Sequence, residues 1–414
     1  MPHPRPIART GLPPVKNLAP RAAYLHIPFC HRRCFYCDFP VVPLGDRADG
    51  ERSASIPAYL ALLNEEIAAA PAGPPLSTVY LGGGTPSLLS PAQVEGLLAA
   101  LAKRFGLVPG AEISLELDPA SFDEARLAGY LAAGITRVSL GGQSFDDAVL
   151  AGLGRRHRAA DLREAIHWLA RAQRRGGLRS WSLDLIQGLP GQELPHWRHQ
   201  LAQAVASGAP HLSIYDLIVE PGTVFERRSR RGELALPEED LAADLMDATA
   251  EQLAAAGYGR YEISNYALPG HASRHNRVYW SGAGWWGFGM GATSAPWGQR
   301  LARPRTRQGW EEWLAAGQPG LERSPPPQPG PPLDERLLVG LRRREGVNLP
   351  ALAGSFGVGA EAVAALATRL APWREQGLLR IEGPRWRLTD PAGMALSNGV
   401  LREMLAWWQE RPGH

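Results

Sequence analysis

The stretch YLHIPFCHRRCFYCDFP, residues 24–40, contains Cys30, Cys34 and Cys37, which are all the cysteines of this 414-residue chain. Three thiols this close together, with none elsewhere, make no disulfide framework. They can instead ligate. In C-x3-C-x2-C spacing they reach one small object from a single loop, either a zinc ion or an iron–sulfur cluster. Structural zinc takes four protein ligands. The fourth here would be His26, His31 or a remote histidine, and the usual pair of C-x2-C knuckles is absent. A [4Fe–4S] cluster also normally takes four thiolates. With three, one iron keeps an open position that a small molecule can occupy. The spacing favours the cluster, with structural zinc as the alternative.

Other chemistry-bearing residues recur where apolar runs end. The runs AAYLHIP, TVYLGGG, EISLELDP, ITRVSLGGQS, WSLDLIQGLP and HLSIYDLIVE read as strands. Segments of helical period lie between them, over 56–70, 91–105, 123–133, 159–175 and 194–207. Alternation of this kind predicts βαβ units and a parallel sheet. Six strands are too few for a closed eight-stranded barrel, so an open partial (β/α)6 barrel or a doubly wound sheet is expected. In such folds the ligand sits beyond the carboxyl ends of the strands. There the sequence places the cysteines, GGGTP with Gly83, Gly84 and Thr85, ELDP with Glu116, GGQS with Gln143, and DLIQGLP with Asp184. Glycines at a strand end admit positive φ and close backbone approach, although a tight turn alone would also account for them. A lone Glu, Gln or Asp is more commonly a solvated surface residue. The repetition at strand after strand is what singles these out.

A further helix over 238–256 leads into an aromatic, Gly-rich stretch that reads as β structure and loops. A proline-rich run follows, RSPPPQPGPPLDE. The last unit reads as helices, a hairpin at LLRIEGPRWRLTD and a final helix, a small winged-helix-like α+β arrangement. The expected division is a flexible tail at 1–20, the partial barrel at 21–260, the aromatic extension at 261–325 and the small domain at 326–414. No run approaches the ~18 apolar residues of a membrane span. The net charge is +3, and lysine occurs only at Lys16 and Lys103. Arginine clusters such as FERRSRRGE read as solvated surface, so no nucleic-acid partner is expected and membrane contact is at most peripheral. The N-terminus lacks a secretory apolar segment, and clustered thiols suit a reducing cytoplasm.

The C-x3-C-x2-C motif, with Tyr36 before its third cysteine, resembles that of radical SAM enzymes. The resemblance implies that Cys30, Cys34 and Cys37 hold a [4Fe–4S] cluster. It also implies that S-adenosylmethionine chelates the open iron and is cleaved by an electron to methionine and a 5′-deoxyadenosyl radical. By the same resemblance the Gly83–Thr85 turn pairs with the methionine amino group, and Glu116 faces the nucleoside. Gln143, Arg155 (in GLGRRH) and Asp184 match the remaining binding positions, with Arg155 suited to the methionine carboxylate. Tyr24 would cover the sulfonium side.

YLHIPFC, LGGGTPS, GQSF, LGRRH, DLIQGLPGQ and EPGT together resemble the oxygen-independent coproporphyrinogen III oxidase family and its relatives. That family's fold is an open six-unit (β/α) barrel with a small C-terminal domain. The oxidases carry a further cysteine two positions after the third, where this chain has Phe39, and a longer N-terminal segment than the 23 residues before Tyr24. HNRVYW, beginning at His275, resembles the hallmark of the family's heme-chaperone branch. This implies a cytoplasmic protein that binds heme, with His275 as axial ligand or guide, and delivers it to heme-requiring respiratory proteins. Such a protein would need an electron donor, and a homodimer is one assembly it allows. The alternatives are porphyrinogen oxidation and a zinc-containing binding protein.

Overall fold

The protein is described by a computed structural model covering residues 19–45, 51–321, 323–324 and 330–411. Most of the expected tail at 1–20, and part of the proline-rich run, lie outside these residues.

The six expected strands are β1 (Ala22–Ile27), β2 (Leu76–Gly83), β3 (Leu107–Leu117), β4 (Arg137–Gln143), β5 (Ser180–Gln187) and β6 (His211–Asp216). They pair in that order and every pairing is parallel. Three shorter strands extend the sheet: β7 (Gly259–Glu262), β8 (Asn265–Ala267) and β9 (Trp286–Phe288). The full order is β9-β1-β2-β3-β4-β5-β6-β8-β7, with β9 parallel to β1, β8 antiparallel to β6, and β7 antiparallel to β8. The sheet therefore stays open, and the architecture is the expected partial barrel.

The period-2 alternation of the strands explains why the two faces differ. Leu25, Val79, Leu81, Leu115, Val138, Leu140, Leu183 and Leu212 are buried outward against the helices. The opposite face carries polar residues in register. Glu116 lies beside Ser139, Ser139 beside Ser182, and Gly141 beside Asp184, which pairs in turn with Ser213.

The helices begin where local chemistry dictates. In Pro91–Phe105 the Ser90 side chain accepts from the Gln93 amide while Gln93 reaches back to the Ser90 amide, and Pro91 fills the first turn. Asp123 and Asp146 cap the helices Glu124–Ala132 and Asp147–Gly152 through their carboxylates. The aromatic stretch differs from expectation. HNRVYW forms a helix, Arg274–Ser281, capped by the Ser273 hydroxyl and ended by Gly282 at φ +70°.

The C-terminal residues have their own apolar core, built from Leu333, Leu337, Leu366, Trp386, Leu401 and Met404 among others. The expected hairpin is Leu379–Glu382 with Arg385–Leu388, and Val347–Asn348 adds a third short strand. This unit is tied to the barrel's flank by the Arg260–Asp390 ion pair at 3.3 Å and by Arg277–Glu345.

Candidate cluster and cofactor site

The cysteine loop begins at the carboxyl end of β1 and crosses the top of the barrel. Its entry and exit pair as short strands, Phe29–Cys30 with Val42–Pro43. Further along, the loops after β4 and β6 clasp it. The Phe35 amide donates to the Leu153 carbonyl and the Phe225 amide to the Phe35 carbonyl, both at 3.0 Å. Arg32 donates to the Arg155 carbonyl at 2.9 Å, and the Arg228 guanidinium lies 4.9 Å from the Phe35 ring centre. The loop is thus held at both ends and in its middle.

Below it lies one cavity of about 420 Å³. Its walls include Cys30, Cys34, Cys37, Gly83, Gly84, Thr85, Glu116, Gln143, Arg155 and Asp184. Residues separated by up to 154 positions of sequence converge because each ends or follows a parallel strand. The glycine turn is sterically required. Gly83 has φ +115°, and a Cβ there would stand 2.5 Å from the His26 ring. A Cβ on Gly84 would meet the Phe29 carbonyl oxygen at 2.7 Å. The amides of Gly83, Gly84 and Thr85 are spent on Glu116, the Ile27 carbonyl and the Phe29 carbonyl. What the turn offers a ligand ammonium is therefore carbonyl oxygen, not N–H. Gln143 holds φ +64°, an uncommon conformation for a non-glycine residue that places strain at the cavity wall.

Two carboxylates on this wall lack a close cation. Glu116 accepts from the Gly83 amide at 3.0 Å and the Tyr80 hydroxyl at 2.9 Å, yet burial pushes its carboxyl up to about 7. Asp184 accepts from Ser139 at 2.7 Å and Ser182 at 3.2 Å, and burial raises it too. The Asp184 charge raises Glu116 further, whereas hydrogen bonds from Ser213, Ser139 and Ser182 and the charge of Arg137 partly oppose the rise at Asp184. A bound cation would relieve both.

Arg155 is arranged differently from expectation. Its guanidinium is already paired with Asp118 at 2.7 Å, donates to the Gly141 carbonyl at 3.0 Å and approaches the Cys34 sulfur at 3.7 Å. Burial alone would raise the Asp118 carboxyl, but Arg155 and His157 hold it well below the usual carboxylate range. The Arg155 Nε is buried without a partner and is the donor still to be satisfied. Asp118 was passed over in the sequence, although its position two residues after Glu116 puts it on the same face. Tyr36, part of the cysteine motif, also lines the cavity, as does Asp216, which carried no comparable signal.

Two expected site residues lie elsewhere. Tyr24 is not on the cavity wall; its hydroxyl meets His26 Nδ1 at 2.9 Å and its ring stacks on Tyr80 at 6.2 Å. It supports the wall from beneath. His275 is fully buried near the amino ends of β2 and β3, opposite the cysteine loop. Its Nδ1 meets the Thr78 hydroxyl at 2.9 Å, its Nε2 the Tyr279 hydroxyl at 2.8 Å, and its ring stacks on Tyr80 at 5.2 Å. Burial pushes the imidazole down to about 3. The Glu112 carboxylate receives the Arg274 and His275 amides at 3.1 and 2.9 Å, an anion seated on a helix N-terminus. The HNRVYW helix therefore plugs the barrel floor. Both imidazole nitrogens are engaged, by Thr78 and by Tyr279, and the ring does not line the cavity of the cysteines. His275→Ala is expected to leave heme affinity unchanged. It should cost about 2–4 kcal/mol of stability, since it opens a void under Tyr80 and orphans two hydroxyls. A heme titration beside a urea melt checks both.

Three thiols lining one cavity are a donor set that fits a cluster. His26 gives Nδ1 to Tyr24 and Nε2 to the Pro40 carbonyl at 2.9 Å, so it is spent as a fourth zinc ligand. Among the described residues, no group of three or more His, Cys, Asp or Glu side chains is gathered to hold one metal ion. The three thiols line a shared space as separate donors, each partly exposed.

Comparison with known proteins agrees with this architecture. Residues 24–199 match the Radical SAM superfamily, and 332–395 match the HemN C-terminal domain. Coproporphyrinogen III oxidase (HemN) from Escherichia coli superposes with a TM-score of 0.75 at 22% identity, over 93% of this chain and 90% of that one, a likeness of fold. Heme chaperone HemW of Synechocystis sp. is 40% identical over 95% of this chain and 98% of its own length. Heme chaperone HemW of Mycobacterium tuberculosis is 37% identical over 97% and 98%. At 40% and 37% identity with near-complete mutual coverage, this chain belongs to the HemW family.

Proposed function

We propose that this protein is a heme chaperone built on a radical SAM core, which binds heme and passes it to acceptor proteins. The observation that carries the reading is the 40% identity to a heme chaperone across 98% of that relative's length. The cavity supports it by assembling every strand-end residue of the cofactor set except Tyr24. In this reading Cys30, Cys34 and Cys37 ligate a [4Fe–4S] cluster, and Gly83–Thr85, Glu116, Gln143, Arg155 and Asp184 hold S-adenosylmethionine. Bound together, those two groups supply one-electron chemistry at a carbon–sulfur bond.

The chain's own residues set up that site electrostatically. Glu116 and Asp184 present buried negative charge to a ligand bearing a sulfonium and an ammonium. The turn after β2 adds carbonyl oxygens. Asp118 anchors the Arg155 guanidinium beside the Cys34 sulfur. Among the described residues no helix is long and apolar enough to cross a membrane. The cytoplasm, with its reducing poise, is the compartment proposed for three unpaired thiols, and a heme-requiring respiratory protein is the proposed acceptor.

Anaerobic reconstitution followed by heme titration and transfer to an apo acceptor tests the function. Heme bound and released to the acceptor is the expected result. Turnover of coproporphyrinogen III to protoporphyrinogen IX would overturn it in favour of the oxidase.

Glu116 also gives a pH signature. Its folded value, about 7, lies above the ordinary carboxylate value, so it favours the fold at low pH. That contribution is lost as pH rises from the unfolded value through about 7. A cationic ligand needs the ionised form, so S-adenosylmethionine affinity is expected to rise about tenfold between pH 6 and 8. Calorimetry at several pH values checks this, and Glu116→Gln should flatten the profile.

A further inference from the structure

We propose that heme docks across the mouth of the barrel, with its apolar ring against Phe39 and Ile218 and its carboxylate edge on Arg33. The site is separate from the HNRVYW segment and rests on the heme-chaperone reading above.

The mouth is unusual in composition. Large apolar side chains that stay exposed are few among the described residues, and three of them sit together here: Phe39 at 51% exposed, Ile218 at 64% and Tyr215 at 43%. All three line the cavity that the cysteines enclose. They come from two different places in the chain, the loop after β1 and the end of β6. A solitary exposed apolar residue needs no explanation, but a cluster ringing a cavity marks a binding surface.

The deeper cofactor does not account for this rim. The cavity is polar at its base, where Glu116 and Asp184 suit a cationic nucleoside, and apolar at its entrance. At about 420 Å³ it has room for a cluster and a nucleoside, and a planar macrocycle would lie above them instead of beside them. The rim is also rigid where it matters. Arg33 donates to the Phe39 carbonyl at 3.1 Å, and Arg305 donates to the neighbouring Asp38 carbonyl. An exposed aromatic plate therefore carries a guanidinium at its edge. That pairing of apolar face and cationic edge complements a tetrapyrrole, whose faces are apolar and whose propionates occupy one edge.

Charge also fixes the orientation. Buried carboxylates below would repel propionates directed into the barrel. Asp216 and Glu220, on the β6 side of the mouth, would repel them there. The cationic side is the cysteine loop, where Arg32 and Arg33 are both exposed. The propionates therefore point outward over that loop.

The test is hemin titration of the full chain, followed by the Soret band, with a thermal melt and iron and sulfide analysis of each sample. Phe39→Ser/Ile218→Ser is expected to weaken hemin binding about tenfold or more, since burial of each side chain is lost. Arg33→Glu should weaken it severalfold. Ile218→Ser alone, which leaves the cysteine loop untouched, should weaken it with unchanged melt and cluster content. Phe356→Ser/Leu396→Ser, on exposed apolar residues of the C-terminal unit, should have no effect. Hemin bound with unchanged affinity in the first variants, or weakened instead by the C-terminal pair, overturns the site while leaving the chaperone reading intact. Failure of the unmodified protein to bind hemin overturns both.

Discussion

Serine at any one of positions 30, 34 or 37 is expected to reduce cluster assembly to background. After anaerobic reconstitution, the unmodified protein should hold about four irons and four sulfides per chain, the content of one cubane. Each single variant should hold almost none. A cluster held by three protein sulfurs has no spare donor within the chain, because these are its only cysteines. Two neighbouring polar groups are poor substitutes for a thiolate. The Thr85 hydroxyl near Cys30 is a neutral donor at 3.6 Å, and His26 is committed to Tyr24 and Pro40. Folding should survive the change, since the thiols are only partly buried and the loop is held by backbone bonds to Leu153 and Phe225. The readouts are iron, sulfide and the visible charge-transfer band, compared at equal helicity. One zinc per chain with no sulfide in the unmodified protein would restore the zinc alternative.

The second large effect lies away from the site. Glu66 and Arg303 form an ion pair at 3.0 Å with almost no exposure of either side chain. Glu66 also accepts from the Gly289 amide at 2.8 Å and the Trp310 indole at 3.2 Å. Burial raises the Glu66 carboxyl and lowers the Arg303 guanidinium, and each partner opposes that shift in the other. The pair joins the helix Ser55–Ala69 to the segment after β9 and to the helix Arg307–Ala315. Beside it the Tyr59 hydroxyl donates to the His26 carbonyl at 2.7 Å, on the strand that launches the cysteine loop. Glu66→Ala leaves a buried cation alone and is expected to cost about 3–5 kcal/mol. Glu66→Met/Arg303→Met removes both charges and should be nearly neutral, because the desolvation penalty goes with them. Urea melts of the two single variants and the double variant close the cycle. A cost below about 1 kcal/mol for Glu66→Ala would mean that the pair is solvated in solution.

Much of the site could be read from local signals. Gly83, Gly84, Thr85, Glu116, Gln143 and Asp184 were found because each ends a run of strand period, and the parallel fold brings such ends together. The helices at 91–105 and 159–174 were equally plain, since their apolar spacing and first-turn residues are local properties. Asp118 was missed because its importance comes from Arg155, 37 positions away. Tyr80 was missed because its role is to donate to Glu116 and stack between Tyr24 and His275. HNRVYW was read with its Gly-rich, aromatic surroundings as β structure and loops, whereas the i, i+4 spacing of His275 and Tyr279 places them on one helical face.

The sequence alone determined the donor set, the parallel run of strands and the edge where the chemistry would gather. Residue type and short-range period carry that information, and no distant neighbour changes it. Only the tertiary structure decided which candidates face the cavity and which support it. It closed His275 into the floor, moved Tyr24 beneath the wall, tied Arg155 to Asp118 and left Phe39 and Ile218 exposed at the mouth. Those outcomes depend on desolvation and on charges that meet through space, and both are set by packing between segments far apart in the chain.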